Sequence, residues 1–438
     1  MNQMEYGVLG TAVSLAFLMA GVPVGLALMA GSFLGLLGIF GWNFGESLMI
    51  LGSAPYYSSA SFELCVIPLF VVMGLFSMYT GASEAAYRSA YKWFGRIPGS
   101  LAVGTLFATA AFGSTCGASL AVCAIFTKVS LPEMVRRNYN KSIASGTITA
   151  GGCLGMLIPP STIAVVYGIL TGVSIGKLFL GGVGPGIFYT LAFSLGVILL
   201  ASIRKNIAPP IEERFSWKVK IIGLKDFWSI FLLALIVIGG IYTGLFTPTE
   251  AGAIGAICAF ALFIVNRQFT WGRLGKALLD STRTTVMIFF VLIGASIFSR
   301  MMCLSGLSSS ITESIAHSGL PPKMIFVLFL GMYFVMGMFL DSISMMCITL
   351  PIVYPLTESF GFDPIWTATQ ILIMMEIGLL TPPMGLNVYV VKGAAEGQVS
   401  LKEVFQGALF FLPIFLLGMG LFFFVPEIIT WLPSRMLK

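Results

Sequence analysis

Two stretches of the chain read almost alike. LGMLIPPST at Leu154 to Thr162 and IGLLTPPMG at Ile377 to Gly385 lie 223 residues apart, and each sets a Pro-Pro pair inside a long apolar segment. A proline within a helix deletes a backbone hydrogen bond and crowds the preceding turn, so paired prolines at matching places predict two deliberately broken helices. At membrane depth, unwound backbone is tolerated only where protein buries it or where it lines a cavity. Breaks at corresponding places in two halves point to a substrate and ion site of a secondary transporter.

The apolar setting is general. Of the 438 residues 57% are hydrophobic and 10% charged, with mean hydropathy +0.97, where a soluble domain carries about 25% charged residues. Charge-free runs such as Val8 to Trp42, Leu178 to Ile203, Trp228 to Pro248 and Gly407 to Pro426 suit a hydrocarbon core of about 30 Å. The chain is therefore expected to be an all-α polytopic membrane protein. Met1 to Glu5 lack the basic start of a cleaved signal peptide and are expected to stay in the mature chain. The seven cysteines, without CxxC spacing, read as packing residues.

The internal likeness extends further. PLFVVMG at Pro68 to Gly74 echoes IFFVLIG at Ile288 to Gly294, and SLPEM at Ser130 to Met134 echoes TLPIV at Thr349 to Val353. The expected organisation is a first repeat over 1–203, a polar cytoplasmic linker over 204–225 and a second repeat over 226–438. Each repeat has a re-entrant hairpin (about 99–129 and 322–354) and a broken helix (about 142–170 and 365–392). Five crossings per repeat is an odd number, so the repeats are expected to be inverted. With both termini outside, only Lys177, Arg300, Lys323, Arg435 and Lys438 of the 24 basic residues fall outside, as the positive-inside rule requires. The net charge of +6 is mostly this topology signal and makes no case for nucleic acid. Two basic amphipathic stretches, Glu84 to Arg96 and Trp271 to Arg283, are expected at the cytoplasmic interface, where Tyr91, Trp93 and Trp271 would meet lipid headgroups.

The hairpins are interrupted by GSTCGAS at Gly113 to Ser119 and by DSIS at Asp341 to Ser344. Small residues let the chain turn there while offering oxygens. The candidate sodium or substrate set is Gly113, Ser114, Ser119, Pro159, Ser161, Asp341, Ser342, Thr381, Pro383, Gly385 and Asn387, with carbonyls freed by the prolines adding ligands. A hard cation such as sodium suits oxygen donors. Asp341 has two open readings, a cation ligand or an N-cap of the returning helix. Glu376 can protonate, coordinate, or bond the unwound backbone. Arg300 can snorkel outward or contact an anion. Glu250 in TPTEAG reads as a helix cap. GGVGPG at Gly181 to Gly186 has no Walker context and reads as close helix packing.

LIPPS at Leu157 to Ser161, FLGGVGPG at Phe179 to Gly186, TPTEAG at Thr247 to Gly252 and EIGLLTPPMGLN at Glu376 to Asn387 together resemble the large membrane subunit of tripartite ATP-independent periplasmic (TRAP) transporters, in order and over nearly the whole chain. The resemblance implies a sodium-driven importer of organic acids such as dicarboxylates or sialic acid in the bacterial inner membrane. Sodium ions would be the coupling ions, with no cofactor. It also implies a transport domain of hairpins and broken helices moving as an elevator, a small four-helix membrane subunit and a periplasmic substrate-binding protein. With no helices ahead of the first repeat, the chain resembles an unfused large subunit. Where the family carries Gly-Ser-Ser in the first hairpin, Gly117, Ala118 and Ser119 stand here, and Asn138, Tyr139 and Asn140 stand for its Gly-Tyr-Asp. An enzyme is not expected: the single His317 falls in an external loop and no HExxH or nucleophile-elbow pattern occurs. The nearer alternative is a self-sufficient inverted-repeat sodium symporter or antiporter for anions.

Overall fold

The computed structural model describes residues 2–204, 206–210, 216–224 and 228–436, whose regular structure is all helical, with no strand among them. Lys205, Arg214, Lys225 and Lys438, placed above by the charge rule, lie outside the described residues. Five single helices are long and apolar enough to cross a bilayer: Phe62–Tyr79, Ile175–Ile203, Pro248–Val265, Trp271–Leu304 and Leu401–Phe424. Others are short. Val24–Ile39 has 16 residues, or about 24 Å of rise.

Both Pro-Pro pairs separate helices. Lys141–Leu157 gives way at Pro159 and Pro160 to Thr162–Thr171, bent by 42°, and Pro364–Gly378 gives way to Leu386–Ala394. Both Pro-Pro peptide bonds are cis. The freed ends are capped: the Ser161 hydroxyl accepts from Ala164 N, and Gly385 turns the chain at φ 58°. Both hairpins are helix, break, helix. Ser100–Cys116 ends at Gly117, whose φ of 64° needs glycine, and Ser119–Arg136 returns. Pro322–Gly337 leads to Asp341, from which Ser342–Ser359 returns.

Three elements differ from the expected limits. The returning hairpin helices run past Val129 and Tyr354 to Arg136 and Ser359 with Pro132, Pro351 and Pro355 inside them, because a single helix proline can be accommodated by neighbouring helices at this depth. Trp271 to Arg283 is no separate interfacial helix. It is the start of one unbroken 34-residue helix, Trp271–Leu304, about 51 Å long. The linker is not simply a polar loop. Trp217–Leu224 is a helix docked on the amphipathic helix Ala82–Phe94: Trp93 Nε1 donates to Lys220 O (3.1 Å) and Ser89 Oγ to Gly223 O (2.9 Å). Just upstream, Ile207 O accepts from Asn140 N (2.8 Å) and Ala208 O from Gly99 N (3.1 Å). The linker thus holds together the bases of the first hairpin and the first broken helix.

Glycines set the tightest packing. The broken helix Lys141–Leu157 meets Leu401–Phe424 backbone to backbone, where a Cβ on Gly407 would stand 2.8 Å from Gly146 N and closer still to Ser142 O. At the start of Pro248–Val265, Thr247 and Glu250 form a reciprocal capping box, the structural role expected of Glu250.

Candidate functional site

A cavity of about 330 Å³ lies between the tips of both hairpins. Ser119 and Ala118 line it from the first tip and Asp341 and Ser342 from the second, with Thr162 and Leu379 from the broken helices. The facing wall belongs to two long helices, with Gly74 and Leu75 from one and Thr284, Met287 and Ile288 from the other. Hydroxyl and carboxylate oxygens therefore gather on one side of the cavity against a largely apolar face. No Lys or Arg lines it among the described residues.

Asp341 is an N-cap. Its Oδ2 accepts from Ile343 N (3.1 Å) and Ser344 N (3.2 Å), and its Oδ1 accepts from Ser344 Oγ. A carboxylate can also face a cation with its remaining lone pairs, so capping leaves the ligand reading open. Ser342 Oγ and Ser119 Oγ are buried without a partner among the described residues.

Behind the first tip lies a second polar cluster. Glu376 is buried and faces the Cys153 thiol, the Ser119 hydroxyl and the Asn387 amide, yet neither carboxyl oxygen makes a hydrogen bond of good geometry among the described residues. Asn387 Nδ2 donates to Cys153 Sγ at 3.3 Å. This cluster joins the first hairpin to both broken helices.

The other candidates are more scattered. Ser114 Oγ and Thr381 Oγ1 donate back to their own helices, at Ala111 O and Ile377 O (2.7 and 2.8 Å). Gly113 packs on Gly155, where a Cβ on Gly155 would stand 3.1 Å from Gly113 Cα. Pro159, Ser161, Pro383 and Gly385 shape the breaks without lining the cavity. Of the candidate set, only Ser119, Asp341 and Ser342 line it together. Sequence reasoning missed Thr284, which follows the basic stretch ending at Arg283, and Met287 and Ile288, which open an apolar run. It also missed Cys153, although the Pro-Pro alignment itself sets Cys153 opposite Glu376.

The two halves repeat specific contacts. Thr162 N donates to Gly117 O (3.2 Å) after the first Pro-Pro pair, and Gly385 N to Met338 O (3.4 Å) after the second. Gly113 meets Gly155, as Gly337 meets Gly378 with a Cβ-to-Cα approach of 2.9 Å. Cys153 Sγ lies 3.7 Å from the backbone oxygen of Glu376, 223 residues away, so matching positions touch.

Residues 11–428 match the family model of the tripartite ATP-independent periplasmic transporter, DctM component. The chain belongs to this family. It is 31% identical to the C4-dicarboxylate TRAP transporter large permease protein DctM of Vibrio cholerae over 97% of this chain and 96% of that one. It is 28% identical to the 2,3-diketo-L-gulonate TRAP transporter large permease protein YiaN of Escherichia coli, over 95% of this chain and 97% of that one. Its fold is similar to that of the Alcanivorax borkumensis YdaH transporter, with a TM-score of 0.66 at 14% identity, covering 89% of this chain and 90% of that one. The DctM family member described here is thus a multi-pass membrane transport protein and not an enzyme.

Proposed function

We propose that the chain is the large membrane subunit of a sodium-coupled importer of small organic acids, working with a small membrane subunit and a periplasmic substrate-binding protein. It would sit in the bacterial inner membrane with both termini periplasmic. The observation that carries this reading is the central cavity: one carboxylate and two hydroxyls, of Asp341, Ser119 and Ser342 at the two hairpin tips, meet the ends of two broken helices, with no basic side chain in the wall among the described residues. An anionic substrate entering such a site needs bound cations to offset its charge. The relatives' names support the substrate class, since C4-dicarboxylates and 2,3-diketo-L-gulonate are both carboxylates.

The matched hydrogen bonds and glycine contacts support two inverted repeats, over 1–203 and 226–438, with 204–225 between them. In that reading the hairpins and broken helices move together against the remaining spans, exchanging two similar packings between outward and inward states. One surplus sodium moving inward across 100 mV supplies about 2.3 kcal/mol, enough for substantial accumulation. The test is uptake of a carboxylate into proteoliposomes holding the full membrane complex, with binding protein outside. Replacing sodium by potassium at fixed pH is expected to abolish concentrative uptake. Uptake that is unchanged would sink the sodium reading.

A further inference from the structure

A second cavity, of about 570 Å³, lies along the same two helices as the central one. Asp341 to Ile343 and Thr284 to Ile288 line the central cavity; farther along the same helices, Met346 to Pro355 and Leu292 to Arg300 line the second. The gap from Ile288 to Leu292 is four residues, about 6 Å of helix. The two cavities therefore lie one after the other between the long helix and the second hairpin, in order from the hairpin tip toward the hairpin base. Tyr57, at the end of the helix Phe44–Tyr57, and Ser58 and Ser61, in the loop before Phe62–Tyr79, line the second cavity as well.

Among the described residues, Arg300 is the one basic residue in this wall. It is exposed and makes no ion pair among the described residues. Ser296 and Ser299 stand within a turn of it on the same helix, and Tyr354 faces from the hairpin. Glu63 also lines the cavity, without an ion pair to Arg300. A guanidinium held at a cavity wall without a carboxylate partner offers a planar fork that fits a carboxylate in two parallel hydrogen bonds. A cation that merely snorkels to water needs no cavity. Arg300 stands in the wall of the cavity next to the central one, and the central one has oxygens and, among the described residues, no basic side chain of its own.

We propose that this second cavity is a receiving site for the carboxylate of the incoming organic acid, held by Arg300 before the acid passes to the central cavity. The site rests on the importer reading given above. It would raise the local concentration of anionic substrate beside the central cavity, and its grip must be released before the central site closes. Arg300 is thus a binding residue of the outward-open state and has no part in the sodium site.

The experiment uses the full membrane complex in proteoliposomes with binding protein, and a panel of succinate, gluconate and N-acetylneuraminate. Initial rates are measured against acid and against sodium for Arg300→Gln and Arg300→Lys. In parallel, a cysteine introduced at Ser299 is labelled with an anionic methanethiosulfonate, with and without each acid. For any acid taken up, Arg300→Gln is expected to raise half-saturation about tenfold or more, the size of a lost charge-assisted bond. Maximal rate and half-saturating sodium should be unchanged. Arg300→Lys should lie between, keeping the charge and losing the fork. The same acid should slow labelling at position 299 with Arg300 in place and fail to do so in Arg300→Gln. Unaltered half-saturation in both variants, or protection that survives Arg300→Gln, would overturn the site. If wild-type uptake proves independent of sodium while Arg300 still governs half-saturation and protection, the coupling reading fails and the receiving site stands.

Discussion

Gly407→Val is expected to leave little monodisperse protein after detergent extraction. Gly407 lies where the last long helix presses on the first broken helix, and any Cβ there meets the backbone of Ser142 and Gly146. Side chains can swing aside, but two helix backbones can part only by moving a whole helix. The cost should therefore exceed the about 1–3 kcal/mol typical of overpacking. Gly420 on the same helix has nothing within 4 Å of its Cβ position. Gly420→Val should extract and run on size exclusion as the wild type does, separating a packing clash from the general effect of a β-branched residue. Equal yields for the two variants would show that the close approach contributes nothing.

Asp341→Asn is expected to separate capping from charge. Asn caps helices about as well as Asp, and one amide oxygen can accept from Ile343 N and Ser344 N as Asp341 Oδ2 does. Folded yield should hardly change. Sodium activation of uptake should weaken sharply, because removing a unit charge a few ångströms from a cation is worth about 1–4 kcal/mol, depending on how wet the site is. That corresponds to about a fivefold or greater rise in half-saturating sodium. Normal sodium activation in the variant would leave Asp341 as a cap alone.

The breaks were the most legible part of the molecule, because Pro159, Pro160, Pro382, Pro383 and Gly117 act on the backbone itself and their effect does not depend on distant partners. The ends of the hairpins were less legible. Pro132, Pro351 and Pro355 look like stops in isolation, yet all three stand inside helices. Their cost is met by surrounding helices that a local reading cannot see. The docked helix Trp217–Leu224 was hidden for a similar reason, since its Lys218 and Lys220 suggest a solvated linker while its hold on Trp93 and Ser89 is tertiary. In the central cavity, polar residues announced themselves by being out of place in apolar sequence. Met287 and Ile288 did not, because nothing in an apolar span marks which face turns inward, and Thr284 was one hydroxyl among several polar neighbours.

The contact between Cys153 and Glu376 limits how such a chain can change. Positions that match between the two halves and also touch each other are in the situation of a residue on the two-fold axis of a homodimer, which must tolerate its own image. An acid on both sides would set two carboxylates against each other in a buried place, and at most one could keep its charge. A thiol opposite an acid escapes this. At this seam a substitution in one copy of the motif is therefore judged by the other copy of the same motif.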